Sequence, residues 1–371
     1  MRQAVKAFVI TILPFLRCRI FRVGREYHLL KIALSEDMRE GKSVALFQII
    51  DDEGRLGHCA NHAEVETRLS DLLEEYEGGG LSTAAYFFGL KQIIVNHPDH
   101  IETHVHIGDT LMAEGGTKAA LVAYQRAVLL GEAAIPAGYT GRLSWDLANR
   151  PFLRALCRAA TCQRRLGNRK KTIALMERSL TLNPADALNI RLLLGSEYLR
   201  ARATEKARFL LESWATDYPP CAYDLGLMLF REHRHAAAAT ILRLAFMANS
   251  YVAEMLCGHP APAPLAIWHG TFASLEVAQD YVEYYGTLWH KTHDALPFLH
   301  WLFHQPKIMA ERAALMDCDE RLAWEHDVIA RQHIQWQKQI LRDQFDEQLS
   351  QTLTGYRRTA EGRSVLPWWR L

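Results

Sequence analysis

The stretch LRALCRAATCQRRLGNRKKTIALMERSLTLNP, residues Leu153–Pro184, decides the fold. Counted from Leu153, small residues fall at the eighth position (Ala160), the twentieth (Thr172) and the twenty-seventh (Ser179). Larger side chains fall at the eleventh (Gln163) and the twenty-fourth (Met176). This spacing suits two antiparallel helices joined at Gly167. The small residues let the backbones approach, and the larger ones fill the space between them. Glycine supplies the left-handed turn that ends the first helix, and Asn183-Pro184 stops the second.

The same register recurs at a period of about 34 residues. From Ile101 it runs Gly108, Leu111, Gly115, Ala120, Tyr124, Ala127. After a one-residue insertion near Arg202, the third unit carries Gly195, Tyr198, Ala207 and Leu211. From Pro219 it runs Gly226, Leu229, Ala238, Leu242, Ala245, Asn249. Pro98 closes the helix ahead of the first unit, and a long Gly131–Arg150 connection separates the first two units. A single unit cannot bury its own apolar face, so the units are expected to stack.

These four units resemble tetratricopeptide repeats (TPRs), over about half the chain. Asn149–Leu156 with Leu182–Arg191 is similar to a block in poorly characterised bacterial TPR proteins, and more faintly in the suppression-of-tumorigenicity family. Asn249–Gly258 resembles the segment that follows the repeats there. The resemblance implies an α-solenoid of helix-turn-helix repeats that holds another polypeptide, and it brings no catalytic residues. The units depart from the pattern in lacking a tryptophan at the fourth position.

Three regions are expected. Residues 1–78 form a small mixed α/β module. Its short runs Phe8–Leu13, Cys18–Val23, Tyr27–Leu34 and Val44–Ile50 suggest strands, and a helix over Ala63–Tyr76 ends at Gly78-Gly79-Gly80. Residues 79–257 form the solenoid. Residues 258–371 form a helical C-terminal extension after a stiff Pro260–Pro264 linker. Helices are expected there over Leu275–Lys291 and Asp294–His304, with one long polar helix over Asp319–Leu353. Leu322, Ile329, Trp336 and Ile340 give that last helix a thin stripe at heptad-like spacing, suited to a cap or to self-association.

Composition narrows the function. The 43 basic residues balance 42 acidic ones, whereas a dedicated nucleic-acid binder carries a basic excess. Seven cysteines without regular spacing point to a reducing compartment. The basic N-terminus (Arg2, Lys6, Arg17, Arg19, Arg22, Arg25, Lys31 against Glu26) is no signal peptide. Pro14 breaks its apolar core, and Arg17-Cys18-Arg19 stands where small residues should mark cleavage. Arg17 before Cys18 also argues against a lipoprotein. A cytoplasmic chain without a membrane span is expected.

Projecting the TPR inner-face positions places Glu102 and Asp109 in the first unit. The second gives Arg154, Cys157, Thr161, Arg164 and Arg165, with Arg158 beside them. The third gives Asn189, Leu192, Ser196 and Arg200, and the fourth Tyr223, Leu227, Phe230 and Arg231. The groove thus shifts from acidic to arginine-rich. The planar arginine fork takes carboxylates in pairs, so an acidic or C-terminal peptide is the expected guest. The lysine/asparagine set of chaperone-binding carboxylate clamps is absent.

Histidine clusters at His97, His100, His104 and His106, at His58, Cys59 and His62, and at His290, His293, His300 and His304. No metal and no cofactor is assigned to any of them. The first set reads as packing, the second lacks a distal pair, and the third sits among Trp289, Phe298, Trp301 and Phe303. The motifs G-x-x-x-x-G-K-S/T, G-x-G-x-x-G, H-E-x-x-H and G-x-S-x-G are missing. Cys157 and Cys162 read as packing residues. A non-catalytic adaptor is therefore expected. Two alternatives stand beside it: an enzyme with its active site in residues 1–78, where His58, Cys59 and His62 could converge, and the repeats as its recruiting arm; and RNA-binding helical repeats that use Arg17, Arg19, Arg22 and Arg25 beside the groove arginines.

Overall fold

The structure is a computed structural model that describes residues 47–57, 62–259, 262–267 and 272–370. The strand-like runs before Phe47, the basic N-terminus, and His58 and Cys59 lie outside the described residues. Of the groups named for the two alternatives, His62 and the repeat arginines are described, and His58, Cys59, Arg17, Arg19, Arg22 and Arg25 are not.

The chain is mainly α-helical and divides into two compact units, one ending at Ile190 and the other spanning Arg191–Leu371. The division falls between the second and third repeats, and each unit is described by itself.

In the first unit, β1 (Phe47–Ile50) and β2 (Glu53–Leu56) form an antiparallel hairpin. Helices α1 (His62–Glu77) and α2 (Thr83–Asn96) follow. The first repeat is α3 (Ile101–Ala113) with α4 (Thr117–Ala134), and the second is α5 (Arg150–Arg165) with α6 (Arg169–Leu182). Gly108 shows why small residues matter: a Cβ there would sit 2.4 Å from the Tyr124 ring. Gly115 and Gly167 turn the chain at φ +80° and +75°. The α1–α2 hairpin packs ahead of the first repeat through Val65, Leu69, Tyr86, Leu90 and Ile93, which meet Ile107 and Ala123.

The long connection between the first two repeats has a structural use. Its strand β3 (Arg142–Leu143) pairs in parallel with β2. Asn149, fully buried, ties the joint together. Its side-chain amide donates to the carbonyls of Gly54 and Ser144, and its Oδ1 accepts from the Leu56 N–H, each at 3.0 Å. The hairpin is thus built onto the repeats.

In the second unit, α7 (Ile190–Arg200) with α8 (Thr204–Trp214) and α9 (Pro219–Arg231) with α10 (His235–Ala248) are the third and fourth repeats. A Cβ on Gly195 would meet Leu211 at 2.9 Å, and one on Gly226 would meet Leu242 at 2.6 Å. Arg202 and His233 take the left-handed turns that glycine takes in the first two repeats, at φ +61° and +59°. Helices α11 (Ser250–Leu256), α12 (Leu275–His290), α13 (Ala295–Phe303), α14 (Pro306–Trp324), α15 (Val328–Asp343) and α16 (Glu347–Thr354) complete the unit. A small hairpin of β4 (Arg357–Arg358) with β5 (Ser364–Val365) and a 3-10 turn (Pro367–Arg370) follow them.

The expected single helix over Asp319–Leu353 is three helices. The breaks lie at aspartate N-caps, which satisfy the exposed N–H groups of a new helix start. Asp327 Oδ2 accepts from the Ala330 N–H at 2.7 Å, and Asp346 Oδ1 from the Leu349 N–H at 3.3 Å. The expected stripe is broken as well: Leu322 is buried, whereas Ile329 and Trp336 face solvent. Arg243 of α10 locks α14 and α16 in place. Its guanidinium grips Glu311 at 2.6 and 3.0 Å and also donates to the Asp346 carbonyl and to Ser350 Oγ.

Among the described residues, no single helix is long and apolar enough to cross a membrane. The pair α10–α11 would pass on length and apolarity, but it is bent by 111°. Its residues Leu242, Phe246, Tyr251 and Val252 belong to the buried core.

Candidate functional site

The inner faces of the two units differ. In the first, positions two and nine of α3 lie two helical turns apart on one face, which directs Glu102 and Asp109 the same way. Both meet arginines of α5. Arg154 reaches Glu102 at 2.6 Å and Asp109 at 3.8 Å, and Arg158 reaches Asp109 at 3.2 Å. Tyr124 donates its hydroxyl to Asp109 at 2.6 Å. His106 stands 3.3 Å from Glu102 and 2.9 Å from the Tyr86 hydroxyl. Burial is the largest influence on Glu102 and opposes its ionisation. The His106 hydrogen bond and the Arg154 charge together outweigh burial and hold its pKa below the usual carboxylate range. One oxygen of Glu102, Oε2, is buried without a hydrogen bond.

The shift from acidic to arginine-rich along this face is therefore partly cancelled by internal pairing. Arg154 stays partly exposed and Arg165 is open to solvent. The Thr161 hydroxyl donates back to the Cys157 carbonyl at 3.0 Å. Arg164 is buried, which corrects its placement among groove-lining residues. Asn189 is half-buried, with φ +54°, in the turn before α7.

In the second unit the chain itself covers the inner positions of the repeats. Tyr223 and Phe230, expected to line an open groove, are buried under α12 and α13. Tyr223 donates to the Asn249 carbonyl at 2.7 Å and packs against Tyr281, while Phe230 stacks on Phe298 at 4.8 Å. Arg231 donates to Thr292 Oγ1 and to the Leu288 carbonyl. Arg200 pairs with Glu197 at 2.9 Å and lies over the Tyr285 ring.

Beneath α12 lies a polar network that the inner-face projection omitted. Glu197 and Asp224 are completely buried. Tyr281 donates to Asp224 at 2.7 Å, Tyr285 to Glu197 at 3.1 Å, and Trp289 Nε1 to the Tyr281 hydroxyl at 2.9 Å. A signal for it was present, because Asp224 is a lone carboxylate inside the apolar run Cys221–Phe230. Tyr281 and Tyr285 also lie four apart on one helix face.

Cys157 and Cys162 are free thiols, and burial raises both pKa values, that of Cys162 to about 12. Such thiols stay protonated and serve packing. Burial also lowers the pKa of His104 to about 4, so its neutral ring hydrogen-bonds the Pro98 carbonyl at 2.9 Å.

No protein-family model matches this chain, and no curated protein does. Among solved structures it is similar to one described as the crystal structure of MamA protein. The alignment covers 54% of this chain and 100% of that chain, at 17% identity and a TM-score of 0.39. The TPR-like assignment rests on the helix packing at Gly108, Gly195 and Gly226.

Proposed function

We propose that the chain is a non-catalytic interaction scaffold that holds an acidic or C-terminal peptide on the inner face of its first two repeats. The observation that carries this reading is the contrast between the two inner faces. The second unit's is sealed by its own helices, whereas the first keeps Arg154 and Arg165 accessible beside a pre-positioned charge network. Arg154, Arg158 and Arg165 outnumber the carboxylates Glu102 and Asp109, so the face retains positive charge for a carboxylate guest. Arg200, Tyr223, Phe230 and Arg231 serve the fold in this scheme and not the guest.

Affinity capture with the full chain, followed by identification of the bound protein and anisotropy titration of its acidic segment, tests the proposal. The variant Arg165→Glu with Arg154→Gln should weaken binding at least tenfold while leaving the helical circular dichroism intact. Equal affinity in the variant removes the groove from the proposal.

A second reading concerns α15, which exposes Ile329 and Trp336 seven residues apart on one face. Self-association through this helix would appear as a dimer in light scattering that Ile329→Glu and Trp336→Glu convert to monomer. A monomeric parent chain removes the reading.

A further inference from the structure

Two of the histidine groups meet in the fold. His62 and Glu66 lie four apart on α1, so both project from one face of that helix. His100 is the N-cap residue of α3 and is buried. Its Nε2 lies 3.0 Å from Glu66 Oε1, and His62 Nε2 lies 3.8 Å from the same oxygen. The three ligand atoms lie within 4.8 Å of one another.

The geometry points to a zinc-type divalent metal site formed by His62, Glu66 and His100, which clamps α1 to the start of the first repeat. Two imidazole nitrogens and one carboxylate oxygen suit zinc and not the oxygen-seeking magnesium or calcium. Tetrahedral zinc with bonds of about 2.0–2.1 Å spaces its ligand atoms about 3.4 Å apart. The two separations from the Glu66 oxygen, 3.0 and 3.8 Å, bracket that value, and the two imidazole nitrogens lie within 4.8 Å of each other, so rotation of the half-buried His62 side chain is what closing the site requires. His100 is already oriented for the task. Its Nδ1 lies 2.8 Å from Thr103 Oγ1, and Thr103 is completely buried. In the metal-free cap Nδ1 accepts from the Thr103 N–H at 3.4 Å. A metal on Nε2 puts the proton on Nδ1, which gives up that long cap bond and donates to the Thr103 hydroxyl instead, the outer-shell arrangement that fixes a histidine ligand. His62 and Glu66 sit toward solvent, which leaves the fourth position to water.

A metal-free ion-pair cluster would also explain these contacts, with His62 and His100 both beside Glu66 and their rings 5.6 Å apart, but only the metal reading makes zinc binding depend on His62. His62 is therefore the discriminating residue. The full chain, freed of metal with a chelator, is titrated with zinc by calorimetry and with cobalt(II) by visible spectroscopy. One ion per chain should bind, zinc should raise Tm, and cobalt should give the strong d–d absorption of a four-coordinate nitrogen/oxygen site. H62A should lower zinc affinity at least tenfold and abolish the zinc-dependent rise in Tm, while the Tm of the metal-free protein stays unchanged. H100A should also lose binding, and H62A guards against a folding defect in that variant. The proposal is overturned by any of three results: no saturable zinc binding, undiminished affinity in H62A, or a thiolate-to-cobalt charge-transfer band. The last would assign the ion to cysteine.

Discussion

Replacing Asp224 with asparagine should stabilise the second unit near neutral pH and make no difference in acid. Asp224 is completely buried. Burial is the main cause that pushes its carboxyl up to about 6 from the usual 3.8, and the nearby Glu197 charge adds to it. The nearby Ser196 hydroxyl, the Tyr281 hydrogen bond and the Arg231 charge work the other way without winning. A carboxyl whose folded pKa is raised holds its proton more tightly in the native state than in the unfolded one. Its contribution to stability therefore falls as pH rises from about 4 to about 6, and the full cost is present above that window. A shift of about two pH units at 1.36 kcal/mol each puts the cost at roughly 3 kcal/mol near pH 7. Asparagine keeps an acceptor for the Tyr281 hydroxyl and carries no charge. Urea unfolding of parent and Asp224→Asn at several pH values, followed by tryptophan fluorescence, measures the effect, because Trp289 is hydrogen-bonded to Tyr281 in the same network. The variant-minus-parent difference should grow from near zero at pH 4 to about 2–3 kcal/mol at pH 7. Other carboxylates titrate alike in both proteins and cancel. A flat difference, or a variant that is less stable at pH 7, would refute the reasoning, since a net-stabilised ionised Asp224 gives the opposite sign.

Arg202→Gly and His233→Gly should each raise stability by about 1 kcal/mol, because both side chains sit in the left-handed turn that Gly115 and Gly167 occupy without steric cost; thermal melting of the single and double variants checks this, and a loss of stability contradicts it. Gly226→Ala should cost about 1–3 kcal/mol, since its Cβ would lie 2.6 Å from Leu242. Adding Leu242→Ala to that variant should cost less than Leu242→Ala costs in the parent chain, and denaturant unfolding of the four proteins reads the coupling.

The repeats were legible because packing distance is written in side-chain volume. Gly108 against Tyr124 and Gly226 against Leu242 are sixteen residues apart in sequence, within one hairpin, so register alone reveals them. The breaks in the C-terminal helix were also written, as Asp327 and Asp346. There the hydrophobic spacing of Leu322, Ile329 and Trp336 runs across Asp327 and masks its capping signal. The His62–Glu66–His100 cluster could not be read locally, because its members fall in separate sequence clusters that only the fold brings together. The same holds for Tyr285 on Glu197, a contact across 88 residues.

The inner-face positions show where a repeat register stops being informative and where chemistry takes over. Position tells which way a side chain points but not what lies over it. The chemistry of the same positions does tell. The third and fourth repeats place Leu192, Tyr223, Leu227 and Phe230 there, and these side chains are all buried. Left to water, such a face would lose on the order of 1.5–3 kcal/mol for each large apolar side chain. A stable chain therefore needs a permanent cover for it, and α12 and α13 supply one from the same unit. The first two repeats place Arg154, Thr161 and Arg165 at these positions, which stay partly or fully open to solvent, beside Glu102 and Asp109, which are paired with arginines. A face of that kind can stand open and exchange water for a guest. The charged side chains at positions two, nine and thirteen of the first two repeats (Glu102, Arg154, Asp109 and Arg165) thus set that face apart from the apolar one that the chain covers in the second unit.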